Sequence, residues 1–553
     1  MSKIICEKED LIDIADAIRS QTGLVQPMTL NEMASTISSL DVGYINNLSA
    51  YVTPQMFGAI GDGVADDTAA IQAALDASSY VYIPDGTYMI NATYAGYGYM
   101  NEGGIKPHSN QTIVMSQNAT LKAIKNSTGF YNIVNLNTVS NVRITGGKVE
   151  GDRDYHEGTS GEHGHGVAIR ACSDIIIDGV ESYNCWGDSI DVGHYDDVNC
   201  HNIRIYNCKL HDSRRQGISI TGCSHIIVRD CEIYNINGTN PQSGIDIEPD
   251  GGAGAVETVV IDCCKIYDTV GASIIIADTS NKIQTLRITN CQLDMVADLS
   301  GNDIVLNNNT INKVVIASDF INVANCTINR VITVGGNGRF YNCQFVNDTS
   351  DYILSSDVSN YPNKVSELLE FYGCHFRAIG TAPYLMQCSA MFTFDGTYPE
   401  KTVRFNMCKI EFQNEAAVAL LGRNPYELII ENSDIIFAKA PYAPISVKTT
   451  YDSKVTIRDS RFFWEGVATY IIDGGTHSNY TFEIYNSEFS RTNRFLYVSS
   501  AGTAGGTIRL NNNVMSNTSI YNKHNFKILG SNTEQETIDK TLASLPKYNG
   551  GVN

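Results

Sequence analysis

Apolar and polar residues follow one repeating pattern over most of the chain after residue 200. Eight positions read apolar, any, apolar, any, polar or small, small, any, apolar, as in IRIYNCKL at 203 and IIVRDCEI at 226. Such alternation predicts a strand with one buried face, because successive side chains of a strand point to opposite sides. Further copies begin at residues 259, 286, 321, 369, 403, 428, 455 and 482. The chain is therefore expected to consist mainly of similar strands.

The sixth position of this pattern is almost always Cys or Ser. The spacing between neighbouring cysteines varies from 17 residues (326 to 343) to 35 residues (291 to 326). A constant strand pattern with variable spacing is typical of a parallel β-helix, in which coils stack and loops of different length project. The sixth-position residues then form an interior column with a spacing of about 4.8 Å. They are Cys208, Cys231, Cys264, Cys291, Cys326, Cys343, Cys374, Cys408, Ser433, Ser460 and Ser487.

A second alternating run recurs between residues 164 and 276 as GVAI, SIDV, GISI, GIDI and SIII. Alignment of the isoleucines places Ile190, Ile218, Ile245 and Ile274 inside the coils. The next residue of each run then faces outward in consecutive coils, as Ala168, Asp191, Ser219, Asp246 and Ile275. Glu248 follows Asp246 by two positions and is expected on the same outer face, where water tempers the repulsion between the acids.

These acids have a spacing that suits glycoside hydrolysis. Two coils separate the backbones of Asp191 and Asp246 by about 9.6 Å, and Asp246 and Glu248 are about 6.6 Å apart along one strand. Inverting glycosidases hold their two carboxyl groups about 6.5–9.5 Å apart. Asp191, Asp246 and Glu248 are therefore candidate catalytic residues, in either of two pairs. A solvated acidic strand face without chemistry is the alternative.

Polar and aromatic residues around the acids are candidates for sugar binding. Guanidinium groups bind hydroxyl and carboxylate groups, and an indole ring offers a face for stacking. The candidates are Arg214, Arg215, Asp188, Trp186, His165 and His194.

Residues 246–257 also have the spacing of a calcium loop, with Asp246, Glu248, Asp250, Gly251 and Glu257 at matching places. A helix–loop–helix calcium site needs flanking helices, whereas both flanks here predict strands. No cofactor and no metal are therefore assigned, and bound calcium is kept as an alternative. The cysteines lack paired zinc-type spacings, so they are expected to be packing residues with free thiols.

Charge and hydropathy exclude some classes of partner. The 553 residues include 39 basic and 60 acidic side chains, which give a formal net charge of −21. A polyanion such as nucleic acid is then an unfavourable general partner. The first ten residues, MSKIICEKED, lack the apolar run of a signal peptide, and no 18-residue apolar stretch predicts a membrane span. We expect neither nucleic-acid binding nor membrane insertion.

Two stretches near the N-terminus resemble phage proteins. IADAIRSQTG followed by MTLNEMASTI predicts two short amphipathic helices and resembles a module at the front of phage and prophage tail proteins. VTPQMFGAIGDGVADDTAAIQAAL, followed by YVYIPDGTYMI, resembles the start of pectate-lyase-superfamily proteins and phage tailspikes. That resemblance implies a right-handed parallel β-helix with one end capped by a helix, whose apolar face is Ile71, Ala74 and Leu75. Asp62, Asp66 and Asp67 are then turn and cap residues.

The candidate site also resembles the central region of β-helix tailspikes, through RRQGISI and GIDIEP. GHG at residues 164–166 also occurs in polygalacturonases. In those enzymes the aspartates precede GHG and an Arg-x-Lys follows it, whereas here GDSID follows GHG and no such Arg-x-Lys appears. The polygalacturonase mechanism is therefore not transferred to this chain.

Together these features predict a phage or prophage tail spike on the virion tail, and the resemblance to tailspikes implies a homotrimer. Residues 1–40 attach to tail or baseplate proteins, 41–52 form a linker, 53–130 the entry and capping region of the β-helix, 131–530 the β-helix and 531–553 a polar C-terminal tail. The expected activity is hydrolysis of a bacterial surface polysaccharide. A polysaccharide lyase, in which Arg214, Arg215 or a histidine helps to abstract a proton, stays open. So does a receptor-binding fibre without chemistry.

Overall fold

The computed structural model describes residues 51–93, 103–249 and, with several gaps, 256–537. The predicted N-terminal hairpin, most of the linker and residues 538–553 lie outside the described residues, as do Asp250 and Gly251 of the predicted calcium loop. Helical segments are confined to the α-helix Thr68–Ala77 and the 3-10 turns Pro54–Phe57 and Arg153–Tyr155 among the described residues. None of the helices described is long and apolar enough to cross a membrane.

The strands form a parallel β-helix, which confirms the predicted fold. Most coils contribute one strand to each of three sheets, and equivalent strands of successive coils pair in parallel register. The first sheet shows this for Ile175, which pairs with Ile203 in the next coil, and for Ile203, which pairs with Ile226. Stacking of equivalent positions gives one continuous apolar core along the axis.

The bounds of the strands are as follows. The first sheet contains Tyr80–Ile83, Gln111–Met115, Ser140–Thr145, Ser173–Asp178, His201–Tyr206, His225–Arg229, Val256–Asp262, Ile283–Thr289, Asp303–Asn307, Ile321–Ala324, Gly338–Tyr341, Leu368–Tyr372, Lys401–Asn406, Tyr426–Glu431, Ser453–Arg458, Asn479–Tyr485, Gly505–Asn511 and Phe526–Gly530, with Thr533–Thr537 at its end. The second contains Asp62–Asp66, Gly86–Ile90, Ala119–Ala123, Lys148–Glu150, Glu181–Tyr183, Lys209–His211, Glu232–Ile236, Lys265–Thr269, Gln344–Asn347, His375–Ala378, Lys409–Phe412, Asp434–Phe437, Arg461–Trp464, Glu488–Phe489 and Val514–Met515. The third contains Phe130–Asn137, His163–Arg170, Asp188–Gly193, Gln216–Ile220, Ser243–Ile247, Ile274–Ile276, Leu354–Ser356, Met386–Cys388, Val418–Gly422, Ala443–Val447, Ala468–Gly474 and Thr492–Val498. Gln292–Leu299, Thr310–Ile316 and Thr327–Thr333 each span the second and third sheets.

The eight-residue pattern covers two strands and not one. In IRIYNCKL the first strand ends at Tyr206, and the second begins at Lys209. Between them Asn207 has a φ of 52°, a left-handed conformation that Asn tolerates better than most residues. The equivalent residue is left-handed in coil after coil, as Asp230, Cys263, Asn290, Asn308, Asn325, Asn342, Gly373, Met407, Asn432, Asp459 and Asn486.

The interior column of small residues is confirmed. Its eight cysteines and three serines are all at most 3% exposed, and its cysteines are free thiols. Asn309 and Asn513 belong to the same column, because their side-chain oxygens accept hydrogen bonds from the backbone N–H groups of Cys291 (2.8 Å) and Ser487 (3.0 Å). The sequence pattern did not predict these two amides, nor a separate run of buried thiols at Cys172, Cys200 and Cys223.

The capped end follows the prediction. Ile71, Ala74 and Leu75 are the buried residues of the helix. The Asp67 carboxylate accepts hydrogen bonds from the N–H groups of Ile60 (2.7 Å) and Gly61 (3.0 Å). The side chains of Asp62 and Asp66 likewise bind backbone N–H groups within their own turn, so the acids of this stretch are turn and cap residues.

Strands also occur on both sides of residues 131–530, the range predicted for the main β-helix. Parallel pairing already joins Tyr80–Ile83 to Gln111–Met115, ahead of residue 131. At the other end Thr533–Thr537, which the sequence assigned to a polar tail, is a strand that pairs antiparallel with Phe526–Gly530.

Candidate functional site

A bend in the third sheet creates the candidate site. In the strand Asp188–Gly193, Ser189 faces inward, where its hydroxyl bonds the Ser182 carbonyl (3.2 Å) and the Ser213 hydroxyl (2.7 Å). The next residue, Ile190, also lies in the core. Two consecutive inward residues interrupt the simple alternation, so Asp188 and Asp191, three positions apart, both face outward.

Equivalent coils repeat this bend with glycine at the first inward position. A Cβ at Gly217 would lie 2.5 Å from the core Ile233 side chain, and one at Gly244 would lie 2.3 Å from that of Ile266. The turn into the site therefore requires a small residue. This explains why GISI and GIDI, together with SIDV, recur in the sequence.

The outward column predicted from the sequence is confirmed. Asp191 pairs with Ala168 on one side and Ser219 on the other, and Ser219 pairs with Asp246. A second column beside it carries Asp188 and Gln216, which are also register partners. The two columns bring the candidate acids onto one face of the third sheet.

The expectation that water tempers the charges on this face is wrong. Asp188, Asp191 and Asp246 are 1%, 3% and 2% exposed. Long side chains of neighbouring positions, including Arg170 and Arg215, pack onto their carboxyl groups. Glu248, by contrast, lies beyond the strand Ser243–Ile247 and is exposed, as predicted.

Asp191 is held in a buried ion pair. The Arg170 guanidinium binds its Oδ2, and the Nε2 atom of His165 lies 3.5 Å from the same oxygen. A guanidinium bound in this way orients the carboxylate and occupies its oxygen. The arrangement favours a structural or orienting role for Asp191 over the role of a proton donor.

His165 connects Asp191 to Asp188. Its Nδ1 accepts a hydrogen bond from the backbone N–H of Asp188 (3.3 Å) and lies 3.5 Å from the Asp188 carboxylate. Burial, with the nearby Arg170 charge, holds the pKa of His165 well below its usual range. The imidazole is therefore neutral, and its proton resides on Nε2, on the side of Asp191.

Asp188 is paired with Arg215. The Arg215 Nη1 lies 3.2 Å and 3.5 Å from the two carboxylate oxygens, and its Nε lies 3.4 Å from Oε2 of the half-exposed Glu162. Burial raises the pKa of Asp188 to about 6 in spite of the positive charge of Arg215. Arg215 thus joins a buried acid to the surface, and its predicted role in substrate binding stays a prediction.

Asp246 has a neutral hydrogen-bond partner. The Gln216 amide donates to its Oδ2, and its Oδ1 accepts no hydrogen bond from any described residue. Burial raises the pKa of Asp246 to about 7, and the charge of Glu248 contributes in the same direction. Near neutral pH this carboxyl is therefore available both as an acid and as its conjugate base.

Trp186 is not an open platform for a sugar ring. It is 9% exposed, and the His156 imidazole stacks on it with ring centroids 4.0 Å apart. The Arg214 guanidinium lies 3.9 Å from the indole centroid and donates to the Gly161 carbonyl (2.7 Å). These contacts tie Trp186 and Arg214 to the loop before the site, so the prediction that they bind substrate directly is not supported by their geometry.

His194 lies apart from Asp188 along the strand. It follows the end of the strand Asp188–Gly193, and its backbone and Cβ lie beside Gly222. The structure thus brings together His165, Asp188, Arg215 and the acids, and places His194 at the opposite end of the strand.

A metal ion at this site would compete with Arg170 and Arg215 for the carboxylates of Asp188 and Asp191. His165, Asp188 and Asp191 offer ligand atoms within 4.8 Å of one another. Guanidinium groups of Arg170 and Arg215 already neutralise the two carboxylates. The donor set therefore suits an ion-pair network better than a cation site.

Of the predicted calcium ligands, Asp246 is buried against Gln216, and Glu257 lies in a strand of the next coil, near His225.

Sequence reasoning missed Arg170, Gln216 and Glu162. Arg170 ends the strand that carries GHG, and Gln216 stands between Arg215 and the inward Gly217. The register of the coils was the signal that could have identified Arg170, because it ends the strand immediately before that of Asp191.

Comparison with known proteins identifies relatives of the chain. A family model described as rhamnogalacturonase A/epimerase, pectate lyase-like, matches residues 53–104. Depolymerase 1 of Klebsiella phage K5-2, described as specific for capsule K30/K69, is 31% identical over 170 residues. The predicted resemblance to phage tailspikes is confirmed. The alignment with depolymerase 1 covers 28% of this chain and 21% of the depolymerase.

One further sequence match is partial, and one structural match is extensive but weak. The uncharacterized protein YclG of Bacillus subtilis is 35% identical over 215 residues, which cover 35% of this chain and 37% of YclG. The N-terminal fragment of bacteriophage phi29 gene product 12 aligns with 94% of this chain and 99% of its own length, at 14% identity and a TM-score of 0.40. At that score the structural likeness carries no weight for function.

Proposed function

We propose that the protein is a phage tail spike that depolymerises a bacterial surface polysaccharide by glycosidic hydrolysis. One observation carries the proposal: a buried carboxyl, Asp246, whose pKa lies near 7, is next to an exposed acid, Glu248. Support for the substrate class comes from the partial similarity to a capsule depolymerase of a Klebsiella phage. Attachment to the tail through residues 1–40 and assembly as a homotrimer belong to the same proposal.

The structure favours one of the two acid pairs that the sequence left open. Asp191 is neutralised by Arg170, so the pair Asp191 and Asp246 would use a carboxylate that is already bound. In the pair Asp246 and Glu248, the buried member holds a proton near neutral pH and the exposed member meets water. An extended backbone separates these two residues by about 6.6 Å, and inverting glycosidases hold their two carboxyl groups about 6.5–9.5 Å apart.

The reaction follows from these properties. Asp246 gives its proton to the oxygen of the glycosidic bond while the bond between that oxygen and the anomeric carbon breaks. Glu248 removes a proton from the water molecule that adds to the anomeric carbon. One bond is hydrolysed and one new reducing end forms, and the two carboxyl groups exchange protons with solvent before the next turnover.

Burial of Asp246 sets a requirement for substrate binding. Its Oδ1 is buried, so the sugar must displace a covering group in order to reach it. Arg215 and Glu248 act electrostatically on Asp246, and both reach the surface, since the Arg215 side chain is 14% exposed. A sugar that hydrogen bonds to these two side chains comes next to Asp246 and replaces water around it.

The test compares Asp246→Asn and Glu248→Gln with a matched control, Asp197→Asn, in an exposed turn. A panel of capsular polysaccharides is digested and read by new reducing ends and by near-ultraviolet absorbance. We expect reducing ends without absorbance, a rate loss on the order of 10²–10⁴ in either site variant, and no loss in the control.

Three outcomes would contradict the proposal in different ways. Full turnover in both site variants moves the active site elsewhere. An unsaturated, absorbing product assigns the protein to the lyases. A polymer that is bound by the native protein but left intact makes it a receptor-binding fibre.

A further inference from the structure

Gln216 joins two charged side chains of the candidate site. It is completely buried and opens the strand Gln216–Ile220, one coil before Asp246. Its amide nitrogen donates to Asp246 Oδ2, and its amide oxygen accepts from Arg215 Nη1 (3.1 Å). Arg215 Nη1 in turn lies within 3.2 Å of Asp188.

This contact pattern fixes the orientation of the amide. A guanidinium only donates hydrogen bonds, so the group that faces Arg215 must be the amide oxygen. The reverse orientation would place the NH2 group against Arg215 and the carbonyl oxygen against a carboxylate. Arg215 therefore ensures that Gln216 presents a donor to Asp246.

A donor on Oδ2 determines where the carboxyl proton of Asp246 resides. An oxygen that accepts the Gln216 hydrogen bond cannot at the same time point its own proton at the same nitrogen. Protonation then takes place on Oδ1, the oxygen that accepts no hydrogen bond from the described residues. Without Gln216 the proton would be shared between the two oxygens, because rotation of the carboxyl group makes them equivalent.

We propose that Gln216 is a positioning residue that places the acidic proton of Asp246 on Oδ1, the oxygen that the substrate meets. This inference rests on the function proposed above. It assigns to Arg215 an indirect part as well, since that side chain holds the Gln216 amide in its donating orientation.

The inference predicts a change in the pH profile as well as a loss of rate. The Gln216 hydrogen bond stabilises the charged form of Asp246, so its removal raises the pKa of that carboxyl. A general acid acts in its protonated form, and activity falls as pH rises through its pKa. Gln216→Met is therefore expected to lower turnover on the order of 10-fold and to move the alkaline limb of the profile to higher pH.

Two further variants make the test specific. Gln216→Glu keeps the shape of the side chain but replaces the hydrogen-bond donor by a second carboxyl group. This change also raises the pKa of Asp246. The test therefore does not depend on whether the Gln216→Met variant folds. Gln111→Met removes another buried glutamine amide, which donates to the Leu75 and Ser78 carbonyls (both 2.7 Å) at the capped end. It controls for loss of stability and should leave the alkaline limb in place.

A measurement without substrate completes the test. Infrared difference spectra over a pH titration report protonation of a carboxyl group, and the band of Asp246 is the one absent from Asp246→Asn. We expect its midpoint to rise in both Gln216 variants. An unchanged midpoint, or lower activity with an unmoved alkaline limb, would overturn the role of Gln216. Undiminished turnover of Asp246→Asn would instead overturn the proposed function, whatever the midpoint does.

Discussion

At the scale of single residues, the site gives each of three buried carboxyl groups a different partner. Asp191 is bound by Arg170, Asp188 by Arg215, and Asp246 by the neutral amide of Gln216. Ionisation of a buried acid is most costly where the hydrogen-bond partner carries no positive charge. Asp246 is therefore the member of this cluster whose protonation should respond most strongly to pH near neutrality.

This electrostatic difference predicts how stability depends on pH. The pKa of Asp246 is raised to about 7 in the folded protein, against 3.8 for an ordinary aspartate. Between these two values the folded state binds more protons than the unfolded state, so the contribution of this group to the free energy of unfolding falls as pH rises. Asp246→Asn removes the effect and should stabilise the protein at pH 8 relative to pH 4, by at most about 4 kcal/mol.

Chemical denaturation at both pH values measures this difference. Asp197→Asn provides the comparison, because the exposed Asp197 side chain is not part of the buried cluster. An Asp246→Asn variant that shifts the unfolding midpoint equally at pH 4 and pH 8 would show that folding does not raise the pKa of Asp246.

At the scale of elements, the left-handed residue between the first and second sheets sets the geometry of each coil. Asn, Asp or Gly occupies most of these positions, and the Asn side chains bond from coil to coil, as Asn308 does to Asn290 (2.8 Å). Met407 is an exception, with a φ of 54° and an exposed side chain. A left-handed conformation is less favourable for such a residue than for Asn or Gly.

Replacement of Met407 by Asn should therefore stabilise the protein. We expect a gain of about 0.5–1 kcal/mol in the free energy of unfolding, because the new residue tolerates the conformation better. Thermal or denaturant unfolding checks it, with Met407→Leu as a control that keeps both the apolar character and the backbone conflict. Equal stability of the two variants would mean that the backbone conformation is not the cause.

The left-handed turn between the first two sheets and the bend in the strand Asp188–Gly193 show what the sequence could and could not predict about the strands. Regular alternation predicted the strands, the interior column and the alignment of Asp191 with Asp246, because these depend on strand periodicity alone. It did not reveal that Ser189 and Ile190 both face inward. Nor did it predict the burial of the acids, since this depends on how Arg170 and Arg215 fold over a neighbouring coil.

At the scale of the whole molecule, each coil of the β-helix contacts mainly the coils before and after it. Stability of such a fold is close to a sum of coil and interface contributions. The predicted helices at residues 1–40 do not share the repeat, so we expect them to contribute little to the free energy of unfolding of the β-helix. The resemblance instead assigns them to attachment.

Deletion of residues 1–40 should accordingly leave a folded protein that no longer joins the tail. The truncated chain is expected to keep the melting temperature of the full chain to within a few degrees, and to lose incorporation into phage particles. Circular dichroism measures the first, and assembly in a complementation experiment measures the second. Failure of the truncated chain to fold would place these helices in the structural core.

The last strand pair has a consequence for association between molecules. A stack of parallel strands ends in unpaired backbone N–H and C=O groups, onto which another chain could add and so extend the stack into a fibril. Thr533–Thr537 reverses direction and covers the first-sheet edge left by Phe526–Gly530. A reversed strand at this edge interrupts the parallel register that another chain would have to continue, and so opposes the growth of filaments from that sheet.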